Sequence, residues 1–175
     1  MVLYILGMPA HIRNTLILAT LVVVVAGLFL YLQLSGASAA ANEAAVRSTA
    51  TSFGLQLKGV SLLSPDASTT MARAYGPYVT SQLLEQWQKN PSKAPGHLTS
   101  SPWPDRVDID NVAPQGNGYI VTGNIIMMTS KEVTNGGNAG TVPVVLQLVR
   151  ENNTWLIAVY QEQSAQQPTQ AATSS

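Results

Sequence analysis

The chain has no cysteine among its 175 residues. That absence excludes disulfides, a lipid thioether and thiolate metal ligation, so any folded part rests on its apolar core alone. A cysteine-free domain outside the cytoplasm suits a bacterial cell envelope better than a disulfide-rich animal surface. Charge is scarce as well: nine basic residues face nine acidic ones, and together they make up 10% of the chain. No basic cluster or excess is available to neutralise phosphates, which excludes a nucleic-acid partner. A glycine-rich phosphate loop, a metal-ligand spacing and a serine-elbow motif are all missing. No cofactor or metal is therefore expected, and the chain does not read as an enzyme.

What the sequence does contain is uncharged length. Twenty-nine consecutive residues between Arg13 and Glu43 carry no charge, and residues 15–34 are almost wholly apolar. Twenty residues of helix rise about 30 Å, the thickness of a bilayer's hydrocarbon core. The run reads as a transmembrane anchor over 14–34. A cleavable signal peptide is the rival reading. Ala37-Ser38-Ala39 has a small-x-small cleavage pattern, and His11 and Arg13 give a weakly basic front. A signal's apolar stretch is about 7–15 residues, shorter than this one. Tyr31, near the far end, also suits an interfacial aromatic. Both features favour a retained anchor. Arg13 and His11 before the span, against Glu43 ahead of Arg47 after it, place residues 1–13 in the cytoplasm. Everything past a linker at 35–39 is then extracytoplasmic.

Helices come first in the exported part, 40–163. Val46, Ala50, Phe53 and Leu57 form a one-face stripe that predicts a helix from Ala40 to about Leu57. Ser64-Pro65-Asp66 is a helix start, with a capping hydroxyl, proline at the first position and an acid in the first turn. That helix should stop at Gly76-Pro77. A third begins at the Thr80 cap, with Val79 and Leu84 placed for a hydrophobic staple, and ends before Pro91.

After a proline-rich crossing at 90–104 the period changes from helical to two. Strands are expected at Arg106–Val112, Tyr119–Met128, Val142–Arg150 and Trp155–Gln161, joined by Gly/Asn-rich turns. Pro143 cannot donate to a ladder, so it should start the third strand or lie on an exposed edge. The tail, 164–175, is mostly Gln, Ala, Thr and Ser and predicts disorder. The expected fold class is α+β: an N-terminal transmembrane helix, then three helices packed on a curved four-stranded antiparallel sheet.

The strand centres are apolar on both faces: Ile125, Ile126, Met127 and Met128 in one, Val144, Val145 and Leu146 in the next. Helices cover only one face. The other needs a partner, or a curl of the sheet that makes it line a cavity. The element order, closing on Trp155-Leu-Ile-Ala-Val-Tyr160, resembles the nuclear transport factor 2-like (cystatin-like) superfamily over about Ala40 to Gln163. The resemblance implies a cone with an internal pocket, often dimerising through its sheet. The layout with one membrane span is similar to bacterial anchored members, including inner-membrane assembly factors of type IV secretion and conjugation machines.

Candidate interaction residues are Trp103, Ile126, Met128, Val144 and Leu146; candidate pocket residues are Tyr119, Trp155 and Tyr160. Two prolines flank Trp103, which either presents to a partner or closes the cone's open end. His97, alone in the crossing, reads as a solvated histidine, and Asp108 and Asp110 as a solvated strand face beside inward Val107 and Ile109. Asn152-Asn153-Thr154 fits a glycosylation pattern, but in a hairpin turn. The functional expectation is a non-enzymatic, membrane-anchored envelope scaffold that forms a homodimer through the sheet face and contacts other envelope proteins. The alternative is a cone that binds or converts a small apolar ligand.

Overall fold

The computed structural model describes residues 38–163, together with Leu21, Val24 and Val25. The remaining positions of the expected anchor 14–34, the segment 1–13 and the tail 164–175 lie outside the described residues. Among the described residues no helix is long and apolar enough to cross a membrane. The chain divides into two compact units, Met1–Asn42 and Glu43–Ser175, and the second holds the sheet.

Helix α1 covers 38–54, and Val46, Ala50 and Phe53 on its stripe are buried. It ends earlier than the stripe suggests, because Gly54 lies against β1, the strand Trp103–Gln115. A Cβ on Gly54 would stand 2.6 Å from the Val107 nitrogen. Leu57 is still buried, delivered by the 3-10 turn Leu57–Gly59. Helix α2 is Ala67–Tyr75 and starts later than expected. The Ser64 hydroxyl is spent on the Asp66 carboxylate, and Ala67 N donates to Ser64 O at 3.1 Å, so the expected cap is a turn instead. Helix α3, Ser81–Lys89, begins as expected, with Thr80 Oγ1 accepting from Leu83 N at 3.3 Å. One aromatic cluster ties the helices to the sheet. Phe53 of α1 stands 5.2 Å from Tyr75 and 6.3 Å from Trp87, and Trp87 meets Tyr160 edge-on at 5.7 Å.

The sheet joins β1 to β2 (Gly118–Met128), β3 (Gly140–Glu151) and β4 (Thr154–Glu162) in the order β1-β2-β3-β4, antiparallel throughout. The α+β class, the three leading helices and the meander agree with expectation. Asn152 and Asn153 turn the β3–β4 hairpin at φ 47° and 67°, the left-handed geometry that Asn tolerates and a two-residue hairpin needs.

Three local features differ from the sequence reading. β1 begins at Trp103, so the expected loop around Trp103 is already strand. Between β2 and β3 lies a short helix α4, Ser130–Asn135, closed by a capping box in which Thr129 and Glu132 bond each other's backbone. Pro143 sits neither at the start of β3 nor on an edge strand. Its carbonyl accepts from Gln163 N at 2.8 Å, so its nitrogen also points toward β4, at the residue just past that strand's end. A strand residue sends N–H and C=O to the same side, so no β2 bond is lost.

Candidate functional site

The period of two sorts the sheet into a core face and an outer face. Val107, Val121, Ile125, Val144, Leu146, Leu148 and Ile157 belong to the core. Val144 and Leu146 are 1% and 0% exposed, so both are corrected from contact residues to packing residues. The apolar run Val144-Val145-Leu146 carries no polar alternation to reveal its parity. Ile126 faces away from that core yet is only 5% exposed, with Arg106 and Thr141 opposite it and α4 packed back on β2. It too is removed from the contact set.

Trp103 and Met128 oppose each other at the first rung of the β1–β2 ladder and are half-buried. Strand alternation turns Trp103 outward and buries Pro104 inward opposite Met127. Trp103 is therefore not a lid; its flanking prolines Pro102 and Pro104 line the cavity instead.

The apolar patch on the outer face is built from residues outside the expected contact set. Ile120, Val145, Val149, Leu156 and Val159 are half-buried and stand outside the core cluster and its packed fringe. Cross-strand pairing gathers them: Val149 opposes Leu156, while Gln147 lies between Ile120 and Val159. Their sequence signal is parity alone, odd positions on β3 where even ones were chosen. A polar strip separates this patch from the Trp103–Met128 corner. Arg106 Nε and Nη2 donate to both Asp108 oxygens at 2.8 and 3.2 Å, and Asn124 donates to Asp110 at 2.8 Å. The Asp108 carboxylate, by this bidentate pairing, raises the Arg106 guanidinium above its ordinary range. Both aspartates are exposed and Val107 is buried, the orientation expected for them.

Both sheet edges are obstructed. On β4, Thr80 N donates to Ile157 O at 2.9 Å and Ile157 N donates to Tyr78 O at 2.8 Å, so the 78–80 segment occupies part of the edge. β1 is bulged at Asp105 and Asp110, and Arg47 Nη1 reaches Ile109 O at 3.5 Å.

The proline-rich crossing roofs a cavity of about 250 Å³ on the core side, walled by Leu57, Ile125, Met127 and Val142 and bordered by His97, Tyr160 and Glu162. Of the three expected pocket residues only Tyr160 is there. Tyr119 and Trp155 pair edge-on at 5.2 Å, and the Arg150 guanidinium lies 5.7 Å over the Trp155 ring. Tyr119 borders a separate hollow with Gln115 and Arg150. His97, expected in solvent, is half-buried. Its Nε2 meets Lys58 O at 2.5 Å, and its backbone bonds Val60 and Leu62. Burial, then the neighbouring Glu162 carboxylate, raises the Tyr160 phenol well above the ordinary tyrosine range, so it stays a donor. Among the described residues no group of three or more His, Asp or Glu side chains could hold a metal ion.

No protein-family model matches the chain, and no curated protein matches it. A chain of the type VI native effector-immunity complex Tae3-Tai3 from Ralstonia pickettii is similar in structure at 14% identity and a TM-score of 0.35, over 61% of this chain and 80% of that one. So remote a likeness carries no argument, and the α+β assignment rests on this chain's own elements.

Proposed function

We propose that this chain is a membrane-anchored, non-enzymatic scaffold of the bacterial cell envelope. Residues 14–34 hold it in the inner membrane with the N-terminus cytoplasmic. The α+β domain, of nuclear transport factor 2-like kind, works on the other side through protein–protein contacts, in a secretion, conjugation or pilus apparatus. The observation that carries this reading is the outer sheet face, where Ile120, Val145, Val149, Leu156 and Val159 pack on no core of their own. Apolar side chains gathered around Gln147 on a sheet face turned away from the core mark a candidate interaction site. The obstructed edges favour docking by face rather than by strand addition. A second copy is the first partner, because a shared membrane raises the local concentration of like domains and lets weak contacts suffice.

The absence of cysteine makes the test clean. Leu156→Cys and Val149→Cys are introduced singly into the full chain, in membranes, and treated with a thiol crosslinker. Both should trap a discrete dimer, whereas Leu63→Cys, 71% exposed between α1 and α2, should not. Equal crosslinking at Leu63, or none at Leu156 and Val149, would sink the reading.

A further inference from the structure

The cavity under the proline-rich crossing is independent of the outer face, and its polar groups select a ligand chemistry. Its roof is fastened at three points. The Tyr75 hydroxyl donates to Pro95 O at 2.7 Å, His97 N to Val60 O at 2.9 Å, and Leu62 N to His97 O at 3.0 Å. Preformed cavities of this kind bind without the cost of ordering a loop. The walls Leu57, Ile125, Met127 and Val142 are apolar, and the half-open cavity holds about 250 Å³. Taking water's share of about 30 Å³ per molecule as a guide, that is room for about eight non-hydrogen atoms.

The bordering side chains with spare capacity are acceptors. Tyr160 donates its only hydrogen to Glu162 Oε1 at 2.5 Å, and Glu162 Oε2 takes no side-chain hydrogen bond among the described residues. A carbonyl oxygen only accepts, so His97 Nε2 donates to Lys58 O and is already engaged. Lys93 borders the adjoining hollow, which shares Tyr160 and Glu162, yet among the described residues it forms no ion pair with Glu162. Glu162 is exposed at the rim, so its carboxylate stands open to a cation entering the cavity from solvent.

We infer that this cavity binds a small primary amine, its apolar body among Leu57, Ile125, Met127 and Val142 and its ammonium on the Glu162 carboxylate. A carboxylic acid of the same shape meets the like charge of Glu162 and the Tyr160 oxygen, whose hydrogen is already spent, and is rejected.

The test uses the full chain in nanodiscs, with methionine methyls observed by NMR, and three water-soluble probes of one shape: benzylamine, benzyl alcohol and benzoate. Benzylamine should shift the Met127 methyl saturably, and benzoate should leave it unmoved. Glu162→Gln should weaken benzylamine about two- to fivefold while leaving benzyl alcohol unchanged. Val142→Trp, which fills the cavity, should abolish every shift at Met127. Matching thermal unfolding of Glu162→Gln and the parent chain shows that the variant is folded. Equal binding of benzoate and benzylamine, an unchanged benzylamine affinity in Glu162→Gln, or no response of Met127 to benzylamine would each overturn the inference.

Discussion

The Tyr75 hydroxyl reaches from α2 to the carbonyl of Pro95 at 2.7 Å, and both residues are fully buried. This bond fastens the proline-rich crossing to the helical layer. Tyr75→Phe keeps the ring and its packing on Phe53 and Trp87 but leaves the Pro95 carbonyl without its donor. A buried acceptor stripped of its partner costs about 1–3 kcal/mol. Chemical denaturation of the two proteins should show a loss in that range. A change below the error of the measurement would mean that water replaces the phenol.

Alkaline pH tests the same region by a different route. Burial raises the Tyr75 phenol above its ordinary value of 10.0, and burial with Glu162 does the same for Tyr160. The unfolded chain ionises these phenols near the ordinary value and the folded chain does not. Above that pH the unfolded state therefore holds fewer protons, and stability falls as pH rises. Ultraviolet titration should show two tyrosines ionising only as the protein unfolds. Smooth titration of all six tyrosines before unfolding would contradict the burial of these two.

Two glycines near the junction of α1 and β1 should respond in opposite senses to alanine. At Gly54 a new Cβ would fall 2.6 Å from the Val107 nitrogen and 2.8 Å from its Cβ, so helix and strand must part. Overpacking of this kind costs about 1–3 kcal/mol. At Gly59 nothing lies within 4 Å. Alanine there trims the freedom of the unfolded chain and should stabilise by about 0.4–1 kcal/mol. Thermal melts of the two variants would separate the cases.

Element order was legible because two periods carry it. The stripe Val46, Ala50, Phe53 reads as helix, the β-branched runs read as strand, and Thr80 and Asn152-Asn153 mark a cap and a turn on sight. The start of β1 was hidden by Pro102 and Pro104, which read as breakers but are tolerated where an edge strand has no outer neighbour. α4 was hidden by its length, although Thr129-Ser-Lys-Glu132 is a capping-box sequence directly after a strand. The cavity needed tertiary structure outright: His97 and Glu162 are distant in sequence and border one cavity only where the crossing closes over the sheet.

The face assignment is the decisive case, because adjacent valines should behave oppositely. Val144 is 1% exposed in the core, whereas Val145 is half-buried on the outer face opposite Thr122. An aspartate at Val144 places an unpaired charge in the buried core cluster, at a cost of several kcal/mol, so Val144→Asp should fail to fold. Val145→Asp keeps its carboxylate at the surface, so the fold and its unfolding midpoint should change little. Its self-association should weaken, because the charge is desolvated only when another face covers it. Sedimentation of the full chain in detergent, read beside circular dichroism, distinguishes the two. A Val145→Asp protein that associates like the parent would leave the outer face without a role in dimerisation, and one that unfolds like Val144→Asp would show that the sheet's faces had been assigned the wrong way round.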